Sequence, residues 1–189
     1  MKTLNQLLAF GHDQSICLTA ANSAPLTYAG LRQLNDYVRQ KFNEFGIGRN
    51  DRVAIVLPNS AEMAASFVTV ACCCTSAPLN PSYRADEFEF YLNDLNSKAL
   101  VVEKGSNSPA VAVAAKMGIA LIELEPTPTL GAGSFTLNMN GLPPKAAQHP
   151  GQAQPDDVAL VLHTSGTTSR PKIVPLTPVS YTHLRAHET

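Results

Sequence analysis

Leu162-His163-Thr164-Ser165-Gly166-Thr167-Thr168-Ser169-Arg170-Pro171-Lys172-Ile173-Val174 is the stretch around which the chain is organised. It follows the apolar run Val158-Ala159-Leu160-Val161-Leu162, which reads as a buried strand. Thr164, Ser165, Thr167, Thr168 and Ser169 crowd around one glycine, Gly166, and the segment closes on Arg170-Pro171-Lys172. Such a composition makes a poor core and a good anion cradle, because hydroxyls and free backbone N–H groups donate to phosphate oxygens. Gly166 lacks the Cβ that would keep the backbone away from a ligand, and it admits positive φ. Pro171 stiffens the way out of the loop. Lys172 offers a point charge to a polyphosphate, and Arg170 a second cation where it faces inward. On composition alone the same residues suit a Ser/Thr-rich hairpin loop between two strands. The order of the residues is what separates the two readings.

The Walker pattern G-x-x-x-x-G-K-[ST] is absent, since the stretch has one glycine and Lys172 is followed by Ile173. No G-x-G-x-x-G occurs, so a dinucleotide fold has no support. The run Thr164-Ser165-Gly166-Thr167-Thr168-Ser169-Arg170-Pro171-Lys172 resembles the phosphate loop of the acyl-adenylate-forming, AMP-binding synthetases and ligases. Most members of that superfamily carry glycine at the positions of Ser169 and Ile173. With His163 in front and Val174-Pro175-Leu176-Thr177 behind, the segment is closest to the oxalate–CoA ligase and peroxisomal CoA-synthetase branch. Weaker likenesses run from about Leu4 to Thr177: Leu26-Thr27-Tyr28, Gly46-Ile47-Gly48 before Asp51-Arg52-Val53-Ala54, Leu57-Pro58-Asn59-Ser60, and Ala77-Pro78-Leu79-Asn80-Pro81.

A chain of 189 residues has the length of one domain with room for part of a second. A net charge of −1 and the lack of a basic patch leave no field to attract nucleic acid or an anionic membrane surface. Met1–Phe10 is too short and too interrupted by Asn5 and Gln6 for a secretory leader, and no stretch is long and apolar enough to span a bilayer. An intracellular protein, cytoplasmic or peroxisomal, is expected. Of the four cysteines, Cys72-Cys73-Cys74 are adjacent. Read as part of a helix they point about 100° apart and cannot share a metal, so they are small buried hydrophobes. Nothing in the sequence specifies an oligomeric state.

Leu31, Leu34, Val38, Phe42 and Phe45 mark a helix from Tyr28, with Thr27 as N-cap and Gly46 as its stop. Arg52–Leu57 is a strand with little alternation, hence buried on both faces. An apolar helix over about 60–74 is expected to be deeply packed, capped by Asn59 with Glu62. Strands at 75–79, 99–102 and 119–122 alternate with helices that carry Phe88, Leu92 and Leu95 or run from Pro109 to Met117. This alternation predicts a layered α/β fold with a mainly parallel sheet and flanking helices. Prolines and glycines make 125–155 a loop-rich linker interrupted by one strand, Ser134–Met139. Asp156 and Asp157 are expected to be solvated where the chain leads into the next strand.

The resemblance assigns 1–177 to an incomplete N-terminal domain of an AMP-binding synthetase. Residues 178–189 fit neither that family nor a helical or strand period, and are expected to be a non-native or disordered tail, with a genuine short isoform as the alternative. The acyl pocket, the adenine and ribose contacts and the C-terminal catalytic lysine of the family would lie beyond this chain. Complete relatives convert a small-molecule carboxylate and ATP, with Mg²⁺, to acyl-AMP and pyrophosphate, then pass the acyl group to CoA. By the same resemblance Thr164, Ser165, Gly166, Thr167, Thr168 and Ser169 bind the β- and γ-phosphates, and Lys172 binds and assists as the catalytic cation. Ser169 and Ile173 should make the loop stiffer than its glycine-bearing relatives. Oxalate is the leading substrate. Aromatic or fatty acids, or a non-catalytic nucleotide-binding or misfolded fragment, are the alternatives. A hydrolase built on His163 and Ser165 has no nucleophile elbow and no placed acidic partner.

Overall fold

The computed structural model of the chain describes residues 3–164, 171–178 and Ser180. After a short helix α1 (Leu4–Leu8) and a two-stranded ribbon β1 (Ile16–Leu18) and β2 (Leu26–Thr27), the chain alternates helix and strand. The series runs α2 (Tyr28–Glu44), β3 (Arg52–Val56), α3 (Ala61–Ala71), β4 (Thr75–Pro78), α4 (Ala85–Asp94), β5 (Ala99–Glu103), α5 (Pro109–Met117) and β6 (Ala120–Pro126). Then come β7 (Phe135–Asn138), β8 (Leu160–Thr164) and β9 (Lys172–Leu176). One seven-stranded sheet has the order β7-β6-β5-β3-β4-β8-β9. The inner pairs β5–β6, β3–β5, β3–β4 and β4–β8 are parallel, while β7 and β9 close the two edges antiparallel. The mainly parallel, layered α/β architecture expected from the alternation is therefore the one observed.

Local chemistry sets the helix boundaries. The Thr27 hydroxyl accepts from Gly30 N–H at 3.2 Å and starts α2, as the sequence predicts. Ser108 caps α5 with Pro109 in its first turn, and Gly118 ends it at φ +68. Asp86 and Glu87 lie in the first turn of α4, and the Glu87 carboxylate accepts from Arg84 N–H at 2.9 Å. Two expectations are corrected. The cap of α3 is Ser60, not Asn59: its hydroxyl accepts from Met63 N–H at 3.2 Å. The helix also stops at Ala71, because Cys72 is its C-cap and Cys73 and Cys74 turn the chain into β4. It is packed on one side through Ala65, Ser66, Thr69, Val70 and Ala71, while Met63, Phe67 and Val68 are half-buried and Ala64 is exposed, so it is not enclosed all round. The three adjacent cysteines are buried and free, as small hydrophobes should be.

The sheet has a core on each face. Leu34, Val38 and Phe42 of α2 and Ala65 and Val70 of α3 pack on Val53, Ile55 and Val101. On the other face Phe88 and Leu92 of α4 and Ala110 and Ala114 of α5 pack on Ala54, Val56, Leu100 and Val102. Phe42 and Phe88 are fully buried, each contributing about 2–3 kcal/mol of apolar transfer. Neither face of β3 is solvated, which accounts for its unbroken apolar sequence. Among the described residues no helix is long and apolar enough to cross a membrane.

The 140–159 segment returns from β7 to β8 along the end of the sheet where the parallel strands begin. It is seated by Arg49 N–H donating to the His149 carbonyl at 2.8 Å and by Lys145 N–H and Ala147 N–H donating to carbonyls of Glu44 and Asn43. Gly48 makes that approach possible, since a Cβ there would lie 2.3 Å from the His149 carbonyl oxygen. Gly48→Ala is expected to push the segment outward and to lower stability by about 1–3 kcal/mol. Urea unfolding followed by circular dichroism measures this, and an unchanged midpoint would show that the contact carries no weight.

Candidate functional site

Parallel strands β3, β4 and β8 are neighbours, so their carboxyl ends meet at one edge of the sheet. In open α/β sheets that edge is where ligands bind. Segments singled out in the sequence meet there: Leu57–Ser60 after β3, Leu79–Pro81 after β4, and Thr164 at the end of β8, where the hydroxyl-rich stretch begins. The stretch joins β8 to β9 in a hairpin, with Thr164 paired to Lys172 and His163 to Ile173.

Directly paired residues project from the same face. Thr164 and Lys172, both exposed, therefore place a hydroxyl and an ammonium on one side of the loop's mouth. Among the described residues no carboxylate pairs with Lys172. A cation held without a protein counter-charge beside a hydroxyl suits a polyphosphate. Ser165, Gly166, Thr167, Thr168 and Ser169, assigned to phosphate from the sequence, lie outside the described residues, as does Arg170. So do Val179 and 181–189 of the segment expected to be a non-native tail.

Alternation along β8 sends Val161 and His163 to the α4 side and Leu162 and Thr164 to the other. His163 is the penultimate residue of β8, with its Nε2 3.1 Å from the Asp94 carboxylate and its ring edge-on to Tyr91 at 4.6 Å. His12 and His149 are exposed.

The sequence reading missed what holds β8 at its beginning. Asp157 is not solvated; it is 6% exposed and accepts four hydrogen bonds. Arg49 donates through Nε at 2.6 Å and through its Nη2 at 3.1 Å, Asn50 Nδ2 at 2.7 Å, and Gln154 N–H at 2.7 Å. Asn50, at φ +64, also accepts from Val158 N–H at 3.0 Å through its side-chain oxygen. Burial by itself would raise the Asp157 pKa, but these donors outweigh it and hold the carboxyl below its usual value. Arg49 is correspondingly held above its own usual value, mainly by the hydrogen bond to Asp157. Asp156, its neighbour in sequence, is exposed as expected. A lone Asp-Asp pair before a strand gives no signal of this network, because the side-chain partners Arg49 and Asn50 lie more than a hundred residues away.

Comparison with known proteins agrees with this geometry. The AMP-binding enzyme family matches residues 9–187. A probable CoA ligase, CCL9, from Humulus lupulus is 39% identical over 160 residues, covering 82% of this chain and 30% of that protein. The oxalate–CoA ligase of Arabidopsis thaliana is 38% identical over 169 residues, covering 86% of this chain and 32% of that protein. The chain therefore spans about a third of the length of these curated relatives. Among solved structures, apo MatB from Rhodopseudomonas palustris superposes with a TM-score of 0.69 at 23% identity, over 93% of this chain and 34% of that one, which shows the shared fold.

The Asp157 network yields a prediction with a defined sign. Because its folded pKa is depressed, its contribution is complete above the unfolded carboxyl value of about 3.9. It is lost as pH falls through the lower folded value. Asp157→Asn should cost about 2–3 kcal/mol at pH 7, less than a fully buried pair because Arg49 is 31% exposed. The gap to the parent protein should close as the pH is lowered below about 4. Urea titrations between pH 7 and pH 2.5 measure it; a gap of constant size would rule out a depressed Asp157.

Proposed function

The chain belongs to the AMP-binding enzyme family, and from that premise we propose that it is the phosphate-loop-bearing part of an acyl-CoA synthetase. The reaction is ATP-dependent activation of a carboxylate followed by acyl transfer to CoA, with oxalate as the leading acid. The observation that carries this reading is the pairing of Thr164 with Lys172, for which the described residues hold no carboxylate partner, at the carboxyl edge of the parallel strands. The oxalate assignment draws on the Arabidopsis relative and on Ser169-Arg170. We propose the domain division in the same way: 1–177 as part of the synthetase N-terminal domain, with 125–155 as its loop-rich segment and 178–189 as a non-native or disordered tail.

In the first half-reaction a carboxylate oxygen attacks the α-phosphorus of ATP, the bond to the bridging oxygen breaks, and pyrophosphate leaves. In the second the thiol sulfur adds to the acyl carbonyl, loses its proton, and AMP departs. One anion attacks another, so neutralisation and alignment matter more than a protein nucleophile. The hydroxyls of Thr164, Ser165, Thr167, Thr168 and Ser169 donate to the β- and γ-phosphates, with Gly166 allowing close backbone approach. Lys172 offsets charge on the leaving pyrophosphate from across the hairpin. Mg²⁺ supplies further charge neutralisation on the phosphate oxygens.

The contacts assigned here reach only the β- and γ-phosphates, and a simple experiment follows. MgATP and inorganic tripolyphosphate with Mg²⁺ should each raise the melting temperature of this chain, whereas AMP should leave it unchanged. At a hundredfold excess over Kd the stabilisation is about 2.7 kcal/mol, or roughly 5–10 °C for a chain of this size. In the complete enzyme Lys172→Ala should slow oxalate-dependent adenylation at least about tenfold, equivalent to about 1.4 kcal/mol. A shift with AMP alone, or unchanged turnover without Lys172, would remove the assignment. A complete enzyme that activates an aromatic or fatty acid and ignores oxalate would leave the family and change the substrate.

A further inference from the structure

His163 stands one residue before the hydroxyl-rich stretch, yet its side chain leaves the sheet on the face opposite Thr164 and Lys172. The imidazole is 7% exposed, and its Nε2 lies 3.1 Å from the Asp94 carboxylate at the C-terminal end of α4. A line of rings leads from it into the core. Tyr91 meets it edge-on at 4.6 Å, Tyr83 stacks on Tyr91 at 4.7 Å, and Tyr83 meets the fully buried Phe88 edge-on at 5.8 Å. Burial, with the neighbouring Tyr91 hydroxyl, pushes Tyr83 up to about 12, so the Tyr83 phenol stays protonated at neutral pH.

The returning arm of the hairpin is tied to the same helix. Ile173, the cross-strand partner of His163, packs against the core on the α4 face. Pro171 lines a depression of about 580 Å³ together with Asp86, Glu87, Phe90, Tyr91 and Asp94. Among the apolar contacts of this face the hydrogen bond from His163 to Asp94 is the directional one. Apolar packing alone lets a strand end slide or rotate by small amounts at little cost, whereas a hydrogen bond fixes both distance and angle. A leucine at 163 would fill the space but would not set the angle.

We propose that His163 and Asp94 form a tether that positions the phosphate loop on α4 from the side of the sheet away from the ligand. His163 is thus a positioning residue acting through the β8 backbone. This inference deepens the phosphate-binding reading of the loop and rests on it for its functional meaning.

Four variants of the full chain test the tether: His163→Leu, which keeps volume and removes the hydrogen bond; His163→Gln, which keeps an N–H donor of similar reach; Asp94→Ala; and the double variant H163L/D94A. Amide hydrogen exchange is read at residues 162–164 and 172–174, with Val53 and Val101 as core references. His163→Leu and Asp94→Ala should each speed exchange in the hairpin about tenfold. The double variant should be no faster than either, since both remove one interaction. His163→Gln should stay within about twofold of the parent, and the core references should not change. Unchanged hairpin exchange, additive effects, or an equal rise at Val53 and Val101 would each overturn the proposal. Titration of the same proteins with magnesium tripolyphosphate separates the two readings. If hairpin exchange responds as expected but the parent does not bind tripolyphosphate, the tether stands and the phosphate reading fails. If the parent binds and hairpin exchange is unaffected in every variant, the tether fails and the phosphate reading stands.

Discussion

Strand β3 is hydrogen-bonded to β4 on one side and to β5 on the other, and its two faces lie under helices from opposite layers. The rest of the molecule follows from the need to keep such a strand dry. A parallel neighbour requires a crossover, and the crossovers that link β3, β4, β5 and β6 are the helices α3, α4 and α5, each covering one face of the sheet. Helices α2 and α3 cover one face and α4 and α5 the other. Once five parallel strands run the same way, their carboxyl ends share one edge, and polar loops have to collect there. The candidate site is thus a by-product of burying β3, and its residues are free to be chosen for chemistry rather than packing.

A site at a sheet edge still has to be aimed. β8 meets β4 through the single register pair Ser76 with Leu160 and is reached only after a long irregular segment. Two polar fixings compensate for that short ladder. At its beginning Asp157 gathers Arg49, Asn50 and Gln154, and Asn50 also accepts from the Val158 N–H. The Thr75 hydroxyl adds a hydrogen bond to the Val158 carbonyl at 2.7 Å. At its end His163 meets Asp94. Both are built from side chains far apart in sequence, which lets one strand be located against the whole domain.

The legibility of the fold divides along the same line. Short-range patterns were readable: the 3.6-residue period of α2, the Thr27 cap, the unbroken apolar run of β3 and the Pro-Gly punctuation after β6 all report chemistry within a few residues. The errors were also local in kind. Asn59 and Ser60 are both good caps, and only the backbone geometry chooses between them. Cys72, Cys73 and Cys74 continue the apolar pattern of α3, so composition alone could not end the helix at Ala71. The hydroxyl-rich loop was visible because its residue order is distinctive. Asp157 and His163 were not assigned their partners because a carboxylate or imidazole in sequence carries no record of what faces it across 69 or 108 residues.

In the family pattern that the stretch resembles, glycine stands at the positions of Ser169 and Ile173, and the register of β8 with β9 gives Ile173 a physical meaning. Ile173 pairs with His163 and packs toward α4, so its side chain is spent on the sheet's interior face rather than at the mouth of the loop. A glycine there would leave the returning strand with less apolar contact and a backbone of greater conformational freedom. The isoleucine therefore shifts the balance at this end of the hairpin from mobility toward fixed placement, in the same sense as the His163–Asp94 contact beside it. Lys172, one residue earlier, inherits that placement, because alternation turns it to the opposite face opposite Thr164. Among the described residues the cation is thus positioned by what its neighbours bury, not by a counter-charge.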